Sequence, residues 1–225
     1  RMRRRKSLRV LNSGQEMTDE TFIKPDRETA DETKAGNYFV SNYPPFSFWN
    51  DDDIPCVESM LNSPSPGMAP MGLYYHVPFC RKRCHFCYFK VYTDKNSAAV
   101  RRYLSATMKE LKAYADSPYL QGRKPKFVYF GGGTPSYLSA QQLTELTDEM
   151  KAILPWDEAE EVTFECEPGT LSEKKLEVIK NFGVTRLSLG IENFNDHILD
   201  TNGRAHRSKE VFRAYEFARQ LGFDN

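Results

Sequence analysis

From Gly72 onward, short apolar runs alternate with stretches in which apolar residues recur every three to four positions, and this alternation sets the predicted architecture. Leu73 to Val77 reads as a strand. A helix capped near Ser97 follows, with Val100, Leu104, Met108, Leu111 and Ala115 on one face. "FVYF" at 127–130 reads as a strand buried on both sides, as inside a parallel sheet. Ser139 and Gln142 form a capping box for a helix with Leu143, Leu146, Met150 and Ile153 inward, stopped by Pro155. Val162 to Cys166 is a third strand, leading to a helix from Ser172 that buries Leu176, Ile179 and Phe182 and closes at Gly183. Arg186 to Ile191 is a fourth, leading to a helix from Ser208 with Val211, Tyr215, Ala218 and Leu221 inward, closed by Gly222. Four strand-then-helix units without a hairpin signal force parallel pairing and right-handed crossovers, so the predicted class is α/β, a parallel sheet or barrel. "NFGVT" at 181–185 and "QLGFDN" at 220–225 carry the same helix-to-strand punctuation, so the chain is expected to stop as a fifth strand begins and to be a segment of a longer protein.

Ahead of this region the pattern differs. Residues 1–35 are polar and aperiodic and read as a mobile arm, its cluster Arg3 to Lys6 as solvated charge. Residues 36–71 form an aromatic and proline-rich extension, with "NYFVSNYPPFSFW" at 37–49 broken by Pro44 and Pro45, and "NSPSPGMAPMG" at 62–72 as the connection to the regular domain at 72–225. Composition narrows the function. Lys plus Arg and Asp plus Glu both number 31, so no broad basic field exists to hold nucleic acid. No apolar run is long enough to span a membrane, and the basic start lacks the apolar core of a signal peptide, so a cytoplasmic location is expected. There the five cysteines stay reduced.

Three of the five stand within eight residues: Cys80, Cys84 and Cys87, in "YYHVPFCRKRCHFCYFK". In a reducing compartment such a group reads as a metal or catalytic site. The spacing C-x3-C-x2-C suits three irons of one cubane cluster and leaves the fourth iron without a protein ligand. The alternative is a zinc site of the three thiolates with His85 or His76, although zinc loops usually pair two knuckles and no second knuckle exists here. Cys56 and Cys166 read as half-buried ordinary thiols. Period-2 alternation places Tyr74, His76, Glu165, Arg186 and Glu192 on the polar face of the strands, converging near the cysteine loop. "YFGGGTPS" at 129–136 runs a strand into Gly131, Gly132 and Gly133, where backbone can approach a ligand closely. It has neither the G-x-G-x-x-G spacing nor the P-loop lysine of nucleotide-phosphate sites.

Taken together, "YYHVPFC", "CRKRCHFC", "YFGGGTPS", "FECEP", "GVTRLSLGIENFND" and "GRAH", in this order, resemble the radical S-adenosylmethionine (SAM) enzymes of the oxygen-independent coproporphyrinogen III oxidase-like branch. The resemblance implies a partial (β/α)6, TIM-like barrel, four of whose units are present. It also implies a [4Fe-4S] cluster on Cys80, Cys84 and Cys87, with SAM on the open iron. By resemblance, Phe86 packs near adenine, Gly132, Gly133 and Thr134 form the methionine-binding turn, Glu165 contacts SAM, and Arg204 reaches the methionine carboxylate. Tyr74 and His76 match catalytic positions near the sulfonium. Glu192 stands where the oxidases carry Gln, still able to accept from a ribose hydroxyl. A flavodoxin or ferredoxin is the implied electron donor, and a porphyrinogen-like small molecule the implied substrate. Phe89 replaces a further cysteine of the oxidases, a change shared with haem chaperones and some methyltransferases of the branch. Conversely, the segment at 37–49 resembles the one that covers substrate in the oxidases. The expectation is an oxidase-like enzyme, with a methyltransferase and a haem chaperone as alternatives.

Overall fold

The structure, a computed structural model, describes residues 50–67 and 69–225; the arm at 1–35 and the aromatic segment at 37–49 lie outside them. A 3-10 turn at Asp51–Asp53, capped by the Asn50 side chain, leads into helix α1 (Ile54–Leu61), which buries none of its residues. The amide of Tyr119 donates to the carbonyl of Leu61 (3.2 Å) and ties α1 to the body of the domain.

Four strands follow, β1 (Met71–Val77), β2 (Pro125–Gly132), β3 (Glu161–Cys166) and β4 (Arg186–Leu189), all parallel and in the spatial order β1-β2-β3-β4. Helices α2 (Ser97–Ala115), α3 (Ala140–Ile153) and α4 (Glu173–Asn181) connect them, and α5 (Asp196–Thr201) and α6 (Ser208–Gln220) follow β4. Each strand pairs with the next in sequence, and α2, α3, α4 and α6 pack in the same succession. A singly wound sheet of this kind is an arc of a TIM-like (β/α) barrel, with helices on one face and the strand ends opening on a common rim. The local signals act as read: Ser139 and Gln142 form the capping box of α3, and Ser172 caps α4. Gly183 and Gly222 leave their helices at φ 98° and 75°.

The core lies between sheet and helices. Val128, Phe130, Val162 and Phe164 meet Leu143, Met150, Leu176 and Ile179 there, all buried. Phe130 stands at its centre, with ring centroids 5.4 Å from Phe164, 5.5 Å from Phe182 and 6.2 Å from Trp156.

Three readings of the pattern need correction. The "FVYF" strand is not buried on both sides: Val128 and Phe130 face the helices, whereas Phe127 is 50% exposed on the other face. There its ring lies across Gly72, occupying the space a β-carbon would need. In α6 Ala214, not Tyr215, turns inward, leaving Tyr215 54% exposed. The fourth strand stops at Leu189, although the Gly190 amide still donates to the Cys166 carbonyl (2.9 Å), and two residues on Glu192 takes φ 63°. Residues 223–225 form no strand, although the Leu187 amide donates to the carbonyl of Asn225 (3.0 Å).

Candidate functional site

The cysteine loop leaves the C-terminal end of β1 and is closed at its base by a pair of backbone bonds: Tyr92 donates to Pro78 (2.8 Å), and Cys80 to Tyr92 (3.0 Å). Its tip turns at Cys84–Cys87, where the Cys87 amide donates to the Cys84 carbonyl (3.2 Å). The tip docks on the end of α5 through the His85 amide to Asn202 (3.0 Å) and His85 Nδ1 to the Thr201 carbonyl (2.8 Å). All three thiols, with Phe86 and Phe89, line one cavity of about 190 Å³. Burial pushes the Cys80 thiol up, while a hydrogen bond from Thr134 Oγ1 (3.3 Å) and the charge of Arg204 act the other way. Arg204 Nη1 donates to Cys84 Sγ (3.1 Å), which sets a cation against the second thiol of the loop.

A second cavity, about 280 Å³, adjoins the first at the ends of β3 and β4, where Glu165, Ser188 and Gly190 line it. Gly133, Thr134, Glu167, Glu192 and Arg204 belong to both. The glycine turn is shaped by its neighbours. Gly132 has φ 112°, and a β-carbon there would strike the His76 ring; one on Gly133 would sit 3.0 Å from Cys80 Sγ. Glu165 accepts from Tyr129 (2.6 Å), whose hydroxyl is pushed up to about 12 by burial and by that carboxylate. Tyr74, 56% exposed, bonds His76 Nδ1 (2.9 Å). Burial lowers His76 against the pull of Glu165, and burial raises Tyr74, so both rings are neutral near pH 7.

Of the residues singled out in the sequence, Cys80, Cys84, Phe86, Cys87, Gly132, Gly133, Thr134, Glu165, Glu192 and Arg204 thus line one cavity or the other. Tyr74 and His76 line neither; they stand on β1 beside the turn, His76 packed over Gly132. Arg186 does not converge on the site. It opens β4 at the opposite end and pairs with Glu161 (2.8 Å). Neither remaining thiol is half-buried: Cys56 is exposed, and Cys166 is buried, its thiol pushed up by burial.

The zinc alternative lacks a fourth ligand at the thiols, since neither histidine lines the cysteine cavity: His85 packs against Gly203 and His76 over Gly132. Among the described residues no three His, Cys, Asp or Glu side chains converge to hold one metal ion. Thiols distributed around a cavity, one for each of several irons, suit a cluster. Among the described residues two buried side-chain polar atoms lack a partner, Glu167 Oε2 and Arg204 Nε, and both residues border both cavities. A ligand bearing an ammonium and a carboxylate, as SAM does, fits such a wall. The two terminal nitrogens of Arg204 are engaged by Cys84 and by the Gly190 carbonyl, but each keeps a second hydrogen.

Sequence reasoning missed Glu167, His206 and Arg81. Glu167 Oε1 accepts from the Gly169 amide (3.0 Å) and from His206 Nδ1 (2.8 Å). Burial opposes its ionisation, but these bonds and the charge of Arg81 prevail and hold the carboxyl below its usual range. Arg81 donates to the carbonyls of Gly169 (2.5 Å) and Ala205 (2.7 Å). The available signals were position only: Glu167 follows Glu165 by two, and His206 follows Arg204 by two.

The model of the radical SAM superfamily matches residues 74–225. Among curated proteins the chain is similar to the heme chaperone HemW of Bacillus subtilis, 40% identical over 68% of this chain and 40% of that protein. It is also similar to the oxygen-independent coproporphyrinogen III oxidase of Synechocystis, 28% identical over 82% of this chain and 40% of that protein. Among solved structures, coproporphyrinogen III oxidase (HemN) from Escherichia coli, described as a radical SAM enzyme, superposes with a TM-score of 0.71 at 27% identity, covering 83% of this chain and 42% of that one. The chain spans about two fifths of the length of these relatives.

Proposed function

The chain belongs to the radical SAM superfamily, and on that premise we propose that residues 72–225 hold a [4Fe-4S] cluster on Cys80, Cys84 and Cys87, with SAM beside it, in an oxidoreductase acting on a porphyrinogen-type substrate. The cluster and SAM are the cofactors of the family. The observation that carries the reading is the pair of adjoining cavities, thiols in one and carboxylates in the other, with Arg204 in their common wall. When bound, the reduced cluster supplies the electron that splits the sulfonium, and SAM supplies a 5′-deoxyadenosyl radical that abstracts hydrogen from substrate. The chain's own part is binding and orientation. Gly132 and Gly133 admit the methionine backbone, Glu165 accepts from its ammonium, and Arg204 balances both a thiolate and the methionine carboxylate. Phe86 packs on the adenine, Glu192 accepts from the ribose, and the neutral Tyr74–His76 pair borders the reacting end.

Support for a flat macrocycle comes from the aromatic side chains on the strand face away from the helices, Tyr74, Phe127 and Tyr129. Support for an oxidase comes from one similarity of longer reach: 82% of the chain aligns with the Synechocystis oxidase, into the residues before 74, against 68% with the Bacillus chaperone and 68% with the Escherichia coli oxidase. The second reading, a haem chaperone, is favoured by the higher identity to HemW and by Phe89 in place of the extra cysteine.

The test uses the full-length protein, reconstituted without oxygen and reduced by flavodoxin, ferredoxin or a chemical donor. About four irons per chain are expected, lost in Cys84→Ala. With coproporphyrinogen III and SAM, the expected products are 5′-deoxyadenosine, methionine and carbon dioxide. Haem binding without turnover replaces the oxidase with the chaperone reading, and S-adenosylhomocysteine with a methylated product replaces it with a methyltransferase. Stoichiometric zinc without iron–sulfur absorbance ends the proposal.

A further inference from the structure

Glu192 is the one non-glycine residue with positive φ among the described residues, at 63°. The Asn193 amide donates to the Ile191 carbonyl (2.8 Å), closing a γ-turn with Glu192 at its centre. For a side chain larger than hydrogen this conformation is strained and persists only when its surroundings hold it. What holds it here is visible from the other side of the same carbonyl. His206 Nε2 faces the Ile191 oxygen at 3.2 Å, and His206 Nδ1 faces Glu167 Oε1 at 2.8 Å. The imidazole is 0% exposed, so neither bond competes with water. Both facing atoms can accept, so the ring spans the two acceptors and links the Glu167 carboxylate to the Ile191 carbonyl.

The carboxylate is itself fixed. Its Oε1 also accepts from the Gly169 amide, directly after β3. The residues before His206 are fixed too, because Arg204 donates to the Gly190 carbonyl and Ala205 accepts from Arg81 (2.7 Å). The line of support therefore runs from the exit of β3 through Glu167 and His206 to the turn after β4, and ends at the side chain facing both cavities.

We propose that His206 is a positioning residue: anchored by Glu167, it bonds the Ile191 carbonyl and so keeps Glu192 in the strained turn that directs its carboxylate at the ligand. The inference rests on the reading of Glu192 as a contact to SAM, and its test separates the two. In the full-length reconstituted protein, His206→Ala should keep its iron and keep kcat for 5′-deoxyadenosine formation within about twofold, while KM for SAM rises about tenfold, the worth of one buried hydrogen bond. Added to Glu192→Ala, the same substitution should raise KM no further. A crystal structure of His206→Ala should show residue 192 relaxed to negative φ. If alanine prevents folding, His206→Gln, which keeps an amide donor, carries the same measurements with a smaller rise in KM. Retention of positive φ at residue 192 without the imidazole overturns the proposal, as does an equal loss of SAM affinity with and without Glu192. A wild-type protein that cleaves no SAM removes the site reading alone, since the φ of residue 192 in the variant still decides the positioning role.

Discussion

A single β-carbon at position 133 would lie 3.0 Å from Cys80 Sγ, from the Phe79 carbonyl oxygen and from the Pro78 carbonyl carbon. Two of these neighbours are backbone and cannot swing aside, so Gly133→Ala has to displace the first thiol of the loop. The variant should fold, since the buried core is untouched, yet take up less than half the iron of the wild type on anaerobic reconstitution, measured by metal analysis and visible absorbance. Full iron loading would show that the loop has slack at Cys80. The glycine run was legible in the sequence, but the separate task of each glycine was not. Gly131 abuts Tyr129, Gly132 combines φ 112° with the His76 ring, and Gly133 abuts Cys80, all spatial relations that no local pattern encodes. The same holds for Glu167 and His206: periodicity predicts burial of apolar side chains, and nothing in it marks a polar pair as interior.

At the scale of elements, the four ring contacts of Phe130 join β2 to β1, β3, the Trp156 loop and the end of α4. Phe130→Ala should cost about 3–5 kcal/mol, because the cavity left behind is walled by strands and helices that cannot close on it. Urea unfolding of the holoprotein measures this, and a loss below about 1 kcal/mol would mean that the surrounding rings repack. Strands and longer helices could be read because each carries enough turns or alternations to show its period. Helix α5 has six residues, too few for a period, and went unread. Tyr215 was assigned inward by a four-residue step from Val211, where the helix actually uses the three-residue step to Ala214. Arg186 was sorted to the correct face but at the wrong end, since alternation fixes the side of a strand and not the depth along it.

For the molecule as a whole, one route by which acid should act runs through the buried Glu167. Its folded carboxyl is held below the ordinary value of 4.5, so its contribution to stability is complete above that pH and is lost as the pH falls through the folded value. Unfolding midpoints should therefore decline from about pH 4.5 downward, and Glu167→Gln should be less stable at pH 7 with a shallower decline. An unchanged acid slope in that variant would assign the decline to other carboxylates. The grip on the cysteine loop, finally, is late in the chain: Arg81 reaches Ala205 across 124 residues, and Cys84 meets Arg204 across 120. At synthesis rates of about 5–20 residues per second, the three thiols leave the ribosome roughly 6 to 24 seconds before the residues that clasp them. During that interval they are open to oxidation and to stray metal ions. Iron and sulfide are thus best delivered after translation has passed the clasp, which sets the earliest moment at which the loop can hold a cluster firmly.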